Sequence, residues 1–280
     1  MKMDKLLDRA FFLAVLSMTA IAIFPFFVLL FHVVENGIEA ILQVGILRFL
    51  TSLPPSPGNG MGGVGPAVLG TVIVVGLSTL FSIPISFALS VLFVEFPNSR
   101  ISKISSVLTD SLLELPSIIV GMLIYVLVVV PMKTPSMIAG SIALTVVSLP
   151  IYVTYMRNAL LSVPPQYREA GYSIGLKKLQ VLLKVMMPIA RRGLSLSVVL
   201  GIARAMGETA SLLFTVGNVL YYYPKDVAEP GTTLTILIYN FVQTPYGNYI
   251  AMAWGAALMI VLFYLLLFAI SKLLVKEVRI

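Results

Sequence analysis

The stretch Val163-Pro164-Pro165-Gln166-Tyr167-Arg168-Glu169-Ala170-Gly171-Tyr172-Ser173-Ile174-Gly175 runs on through Leu176 to Pro188. Pro164 and Pro165 suit the first turn of a helix, where no backbone N–H is needed. Gly175 can end that helix in a left-handed conformation. The continuation places Leu179, Leu182, Leu183 and Met186 on one face and Lys177, Lys178 and Lys184 elsewhere, and Pro188 marks a bend. The segment therefore reads as two short helices. Such a basic amphipathic pair either lies on lipid headgroups or docks a cytoplasmic partner. Long apolar runs flank it, residues 137–156 before and 193–220 after.

A helix needs about 20 mostly apolar residues to cross a bilayer. Residues 10–34, 68–94, 107–130, 137–156, 193–220 and 250–270 each qualify. The third carries Asp110 and Glu114 near its start, expected to pair with nearby basic residues, and the fifth holds Arg204 and Glu208. Residues 233–242 are apolar but too few to span, and read as an interfacial or re-entrant piece. The 280 residues are 59% hydrophobic and 11% charged, whereas soluble domains carry about 25% charge. An ordinary soluble enzyme, a disordered chain and a nucleic-acid binder are thereby excluded. With no cysteine and a single histidine, His32, disulfides, thiolate metal sites and histidine catalysis have no basis. The expected fold is all-α, a polytopic membrane protein of six spans.

Charge placement orients it. Lys2, Lys5 and Arg9 precede an apolar run containing Ala20-Ile21-Ala22, which imitates a secretory signal. That run continues through Pro25 to Val34, so it reads as an uncleaved helix. With the N-terminus inside, Lys2, Lys5, Arg9, Arg100, Lys103, Arg157, Arg168, Lys177, Lys178, Lys184, Arg191, Arg192, Lys272, Lys276 and Arg279 are cytoplasmic, fifteen of the 19 basic residues. Arg48, Lys133 and Lys225 fall outside. Both termini are then cytoplasmic by the positive-inside rule. The net charge of +7 is an orientation signal and calls for no nucleic acid. Trp254, Tyr221, Tyr222, Tyr223, Tyr246 and Tyr249 gather at the outer ends of spans five and six as an interfacial belt. The loop from Pro54 to Gly63 is rich in Pro and Gly but lacks the Gly-Lys-Ser/Thr of a phosphate loop, and reads as a flexible turn.

At about 100° per residue, Ser197, Gly201, Arg204, Glu208, Ser211 and Thr215 of span five share one sector of the helix. Arg204 lies roughly 15 Å of rise beyond Leu194, near the midplane. An ionisable residue there is costly unless it faces a cavity or a partner, so this stripe reads as a pathway. Span four has a shorter stripe at Ser141, Thr145 and Ser148, and span two has Ser78, Ser82, Ser86 and Ser90. For these two, helix packing and pathway lining stand equally open.

The loop also resembles the membrane subunits of ATP-binding-cassette importers. Their signature is Glu-Ala-Ala, three residues, Gly, nine residues, Ile, one residue, Leu-Pro. This chain has Glu169-Ala170-Gly171, then Gly175, then Val185, Met186 and Met187-Pro188 at the same spacing. Gly171 replaces the second Ala and should loosen the helix by up to ~1 kcal/mol. Segments Leu115-Pro116-Ser117-Ile118-Ile119-Val120-Gly121, Ala203-Arg204-Ala205-Met206-Gly207-Glu208-Thr209-Ala210 and Gly65-Pro66-Ala67-Val68-Leu69-Gly70-Thr71 resemble the phosphate-importer branch, with Ser211 where that branch often has Pro.

The resemblance implies a type I importer permease of the cell membrane. Its N-terminal helix and outer loop would occupy residues 1–66 and its permease core 67–280, with the coupling loop at 157–192. It implies a second permease subunit, a cytoplasmic ATPase dimer that binds Mg-ATP, and an extracellular phosphate-binding protein. The chain itself would hold no cofactor or metal and perform no catalysis. Arg168, Glu169, Ala170, Gly171, Gly175 and Pro188 would belong to ATPase coupling. Arg204 would touch the anion, and Glu208 would either hold Arg204 or accept a hydrogen from protonated phosphate. Molybdate, tungstate and sulfate are the alternative substrates. A proton-driven transporter using Arg204, Glu208, Asp110 and Glu114 as a relay, or a membrane scaffold, are the competing classes.

Overall fold

The computed structural model describes residues 2–274. The expectations placed on Lys276, Arg279 and the side chains of Lys2, Lys5 and Arg9 fall outside what is described. The chain forms α1 (Lys2–Val44), α2 (Ile46–Thr51), α3 (Gly65–Glu95) and α4 (Arg100–Glu114). There follow α5 (Ser117–Met132), α6 (Met137–Leu161), α7 (Pro165–Ser173), α8 (Lys178–Met206), α9 (Leu234–Phe241) and α10 (Gly247–Leu274). No strand occurs among the described residues. Helices α1, α3, α6, α8 and α10 are long and apolar enough to cross a membrane, and α4 with α5, bent by 107°, makes a sixth if the pair is counted as one broken span.

Three span boundaries depart from the sequence expectation. Helix α1 continues to Val44 because Val33, Ala40 and Ile41 recur on one buried face while Glu35 and Glu39 face out, and nothing breaks it before Gly45 at φ 86°. That face packs on α10. The third span is broken at Leu115-Pro116: proline disfavours the helical region for the residue before it, and Leu115 is extended at ψ 128°. The fifth span begins earlier and stops sooner than expected. It starts at Lys178, passes through a π turn at Leu182–Met186, and ends at Met206. Pro188 therefore lies inside a continuous helix rather than at its start. The π turn just before it, with the Met187 N–H bonded to the Leu182 carbonyl, widens the helix ahead of the proline ring. The same turn shifts the helical phase. Val181, Leu182 and Met186 are buried while Leu179 and Leu183 face out, instead of all sharing one face.

Beyond Met206 the backbone turns irregularly until Thr233 caps α9 by accepting a hydrogen bond from the Ile236 N–H. Irregular backbone at membrane depth is tolerated only where protein covers it. Leu212 and Val216 are buried against Val74, Val75, Met137, Leu144 and Ile236, so the apolar character that suggested a continuing helix serves instead to bury turns. Gly201 lies directly on the Tyr152 ring, and the Tyr152 hydroxyl is 3.3 Å from that of Thr79, midway along α3. Helix α8 thus ends a short way beyond the level of the middle of α3.

The serines of α3 face α6. Ser78, Ser82, Ser86 and Ser90 are buried, with the Ser86 and Ser90 hydroxyls donating to the carbonyls of Leu149 and Val153 at 3.2 and 3.0 Å. Small side chains let the two backbones approach closely. At the opposite end, the glycine-rich loop is a turn, with Gly58 and Gly60 at positive φ. Asn248 at the start of α10 pins it, accepting from the Gly58 N–H and donating to the Gly60 carbonyl.

Candidate functional site

Arg204 stands in the last turn of α8, where a cation complements the negative end of the helix dipole. Its Nη1 is 3.1 Å from Oε2 of Glu208, across a half-exposed guanidinium and a buried carboxylate (48% and 4% side-chain exposure). Glu208 lies past the helix end, so the pair forms across a turn rather than along a helical face. Its other oxygen accepts the Ser211 N–H at 3.2 Å, and its carbonyl accepts the Thr235 hydroxyl of α9 at 2.8 Å. Both carboxylate oxygens are thereby engaged in holding Arg204 and the Ser211 turn. The Arg204 side chain is otherwise half exposed.

Gly121 of α5 presses on that turn. A Cβ there would lie 2.7 Å from the Ser211 carbonyl oxygen and 2.8 Å from its Cα. Backbone cannot swing away as a side chain can. Gly121→Ala is expected to lower the melting temperature of the purified protein, at a cost of about 1–3 kcal/mol.

The other predicted site residues fall in two groups. Ser211 and Thr215 are buried in the irregular segment, where the Thr215 hydroxyl bonds the Ser211 carbonyl at 3.0 Å. The Ser211 hydroxyl is buried without a hydrogen-bond partner among the described residues, beside the Arg204–Glu208 pair. Ser197 is buried and bonds the Gly193 carbonyl within its own helix. Ser141, Thr145 and Ser148 are buried on α6, and the Thr145 hydroxyl bonds the Ser141 carbonyl at 2.7 Å and approaches that of Ser78 at 3.4 Å. These four residues pack helix on helix in this arrangement. Asp110 and Glu114 are exposed on α4, and neither pairs with a Lys or Arg among the described residues; Asp110 accepts the Ser106 hydroxyl at 3.3 Å.

The loop between α6 and α8 forms the second locus. Pro165 opens α7, and Gly175 closes it at φ 82°. The Leu176 N–H bonds the Gly171 carbonyl at 3.2 Å and the Gly175 N–H that of Tyr172 at 2.9 Å, the double closure of a left-handed helix terminus. Gly175→Val should cost about 1–2 kcal/mol by forcing a branched side chain into that conformation, read as a lower melting temperature. Gly171 is buried, and a Cβ there would touch Val181 at 3.1 Å, so the residue that loosens α7 also lets it seat closely on α8.

Sequence reasoning missed the anchor of this loop. Glu95, buried at the end of α3, lies 3.0 Å from Nη2 of Arg168 and 3.7 Å from Nζ of Lys178. Lys178 also donates to the Glu95 carbonyl and sits 3.9 Å from the centroid of the Phe96 ring. Leu160, Val163, Val181, Leu182 and Met186 complete the apolar support with Val94. Glu169, Ala170, Tyr167, Tyr172 and Ile174 remain exposed, and Pro188 is exposed just after the π turn of α8. One side of α7 is thus fixed to the bundle and the other faces away.

Residues 82–280 match the family described as binding-protein-dependent transport system inner membrane component. The chain is 36% identical over 270 residues to the probable phosphate transport system permease protein PstA of Methanocaldococcus jannaschii, covering 96% of this chain and 94% of the relative. It is 34% identical over 247 residues to the phosphate transport system permease protein PstA of Haemophilus influenzae, covering 88% and 85%. In fold it is similar to a chain of the MetNI methionine ABC transporter solved in an inward-facing conformation, with TM-score 0.62 at 21% identity over 76% of this chain and 96% of that one.

Proposed function

The chain belongs to the family of binding-protein-dependent transport system inner membrane components, and from that premise we propose that it is the membrane-spanning permease subunit of an ATP-driven importer of inorganic phosphate. Similarity to phosphate permeases across nearly the whole chain carries this reading. The protein is a multi-pass component of the cell membrane, with both termini cytoplasmic by the distribution of its basic residues.

The permease pairs with a second permease subunit, each docked on one subunit of a cytoplasmic ATPase dimer that binds Mg-ATP. An extracellular binding protein delivers phosphate. The exposed face of α7, with Glu169, Tyr172 and Ile174, meets the ATPase, while Arg168 ties the opposite face to Glu95. ATP closes the ATPase dimer, draws the coupling segments together and opens the membrane cavity outward; hydrolysis resets it. Arg204 contacts the anion on its way, since guanidinium is always charged and its fork matches phosphate oxygens. The engagement of both Glu208 oxygens favours its role as the holder of Arg204.

Uptake into proteoliposomes carrying the assembled complex tests the reading. Phosphate accumulation should require internal ATP, the ATPase and the binding protein. Accumulation driven by a pH gradient alone would establish a proton-coupled transporter instead, and efficient competition by molybdate, tungstate or sulfate would move the substrate to another oxyanion.

A further inference from the structure

Helix α8 ends at Met206, and Gly207 follows it at φ −89° and ψ −2°, a conformation open to any residue. The backbone therefore gives no reason for a glycine there, but a neighbour does. A Cβ on Gly207 would lie 2.6 Å from the hydroxyl oxygen of Tyr264 on α10, so the missing side chain is what admits that hydroxyl to the end of α8. Gly207 and Arg204 share this last turn. The Gly207 N–H bonds the Arg204 carbonyl at 3.3 Å, and residues three apart lie on the same side of a helix. The Tyr264 hydroxyl is close enough to the Arg204 guanidinium to interact with its charge.

That hydroxyl has no other use in the fold. A tyrosine hydroxyl withdrawn from water ordinarily finds a hydrogen-bond partner. Tyr264 is half-buried in a spanning helix, yet its hydroxyl bonds to nothing among the described residues. The carboxylate beside Arg204 is committed by contrast, with its two oxygens holding the guanidinium and the Ser211 N–H.

A tetrahedral oxyanion presents oxygens in several directions, and a guanidinium that already gives one N–H to Glu208 meets them from one side. A phenolic hydroxyl supplies what the arginine lacks. It donates to an anionic oxygen and accepts from a protonated one, whereas guanidinium only donates. We propose that the Tyr264 hydroxyl is a second contact for the transported anion, hydrogen-bonding phosphate beside Arg204 at the end of α8, with Gly207 making room for it. The inference rests on the reading of the chain as a phosphate permease and adds a residue from α10 to the anion's route.

ATP-driven phosphate uptake by the assembled complex in proteoliposomes tests it. Tyr264→Phe keeps the ring and removes only the hydroxyl, and should lower uptake about tenfold with melting temperature and ATP turnover at wild-type values. Gly207→Ala keeps the hydroxyl and pushes it away, and should lower uptake by a similar factor. In the Tyr264→Phe background, Gly207→Ala should cost less than about twofold more, because the ring carbon left behind stands an ordinary 4.0 Å from the new Cβ. Wild-type uptake in Tyr264→Phe, or the same loss from Gly207→Ala in both backgrounds, would overturn the inference and leave the permease reading standing. Absence of ATP-dependent phosphate uptake by the wild-type complex would overturn that reading, and this inference with it.

Discussion

Replacing Arg204 by Gln is expected to lower phosphate uptake about a hundredfold, the worth of a charge-assisted contact at the rate-determining step, while the complex assembles and hydrolyses ATP as before. Gln is the informative replacement because it removes the positive charge and keeps a polar amide, although its shorter side chain does not reach the position from which Nη1 meets Oε2 of Glu208 at 3.1 Å. The carboxylate keeps its bond from the Ser211 N–H, and intact assembly and ATP turnover are the readouts that separate loss of charge from loss of the turn. Arg204→Lys should fall between, retaining charge but losing the fork. Uptake at the wild-type rate in Arg204→Gln would remove this residue from the anion's route.

Glu95→Ala is expected to separate ATP consumption from transport. Its carboxylate is the buried member of a triad whose cations, Arg168 and Lys178, are 33% and 43% exposed. Once freed, those cations regain water, so the loss is about 2 kcal/mol rather than the larger penalty of stranding a buried charge. Arg168→Ala is the harsher change, because it leaves Glu95 buried with only the more distant Lys178. The expected signature is fewer phosphate ions imported per ATP hydrolysed, with a coupling energy between the Glu95 and Arg168 substitutions in a double-mutant cycle. An unchanged ratio would mean that α7 is seated by its apolar contacts alone.

The parts of this molecule that were legible in sequence are those with local causes. Six spans followed from hydropathy, and the boundary of α7 from Pro165 and Gly175, whose backbone requirements are met within a few residues. Glu95 was not legible because its partners stand more than seventy positions away, and a lone acid after an apolar run looks like any solvated helix end. Proline was an ambiguous sign. Pro25, Pro84 and Pro150 lie inside helices, whereas Pro116 breaks one. The end of α8 was hidden for a different reason. Hydropathy measures how much apolar surface a segment offers, not whether a helix or a buried turn uses it, and the residues after Gly207 fill the bundle as turns. The Arg204–Glu208 pairing was anticipated, but the expectation joined them along a helical face, while the chain joins them around a helix end.

Because the π turn carries α8 past Pro188 without a break, one end of the same helix abuts α7 and the other bears Arg204. From Lys178 to Arg204 the helix runs about 39 Å at 1.5 Å per residue. If it pivots at its lower end, a tilt of about 10° carries its tip roughly 7 Å sideways, more than twice the length of a hydrogen bond. Mechanical advantage is therefore built into the covalent continuity of this helix. An angular displacement applied at the Lys178 end would move the Arg204 guanidinium by more than the length of the contacts it makes.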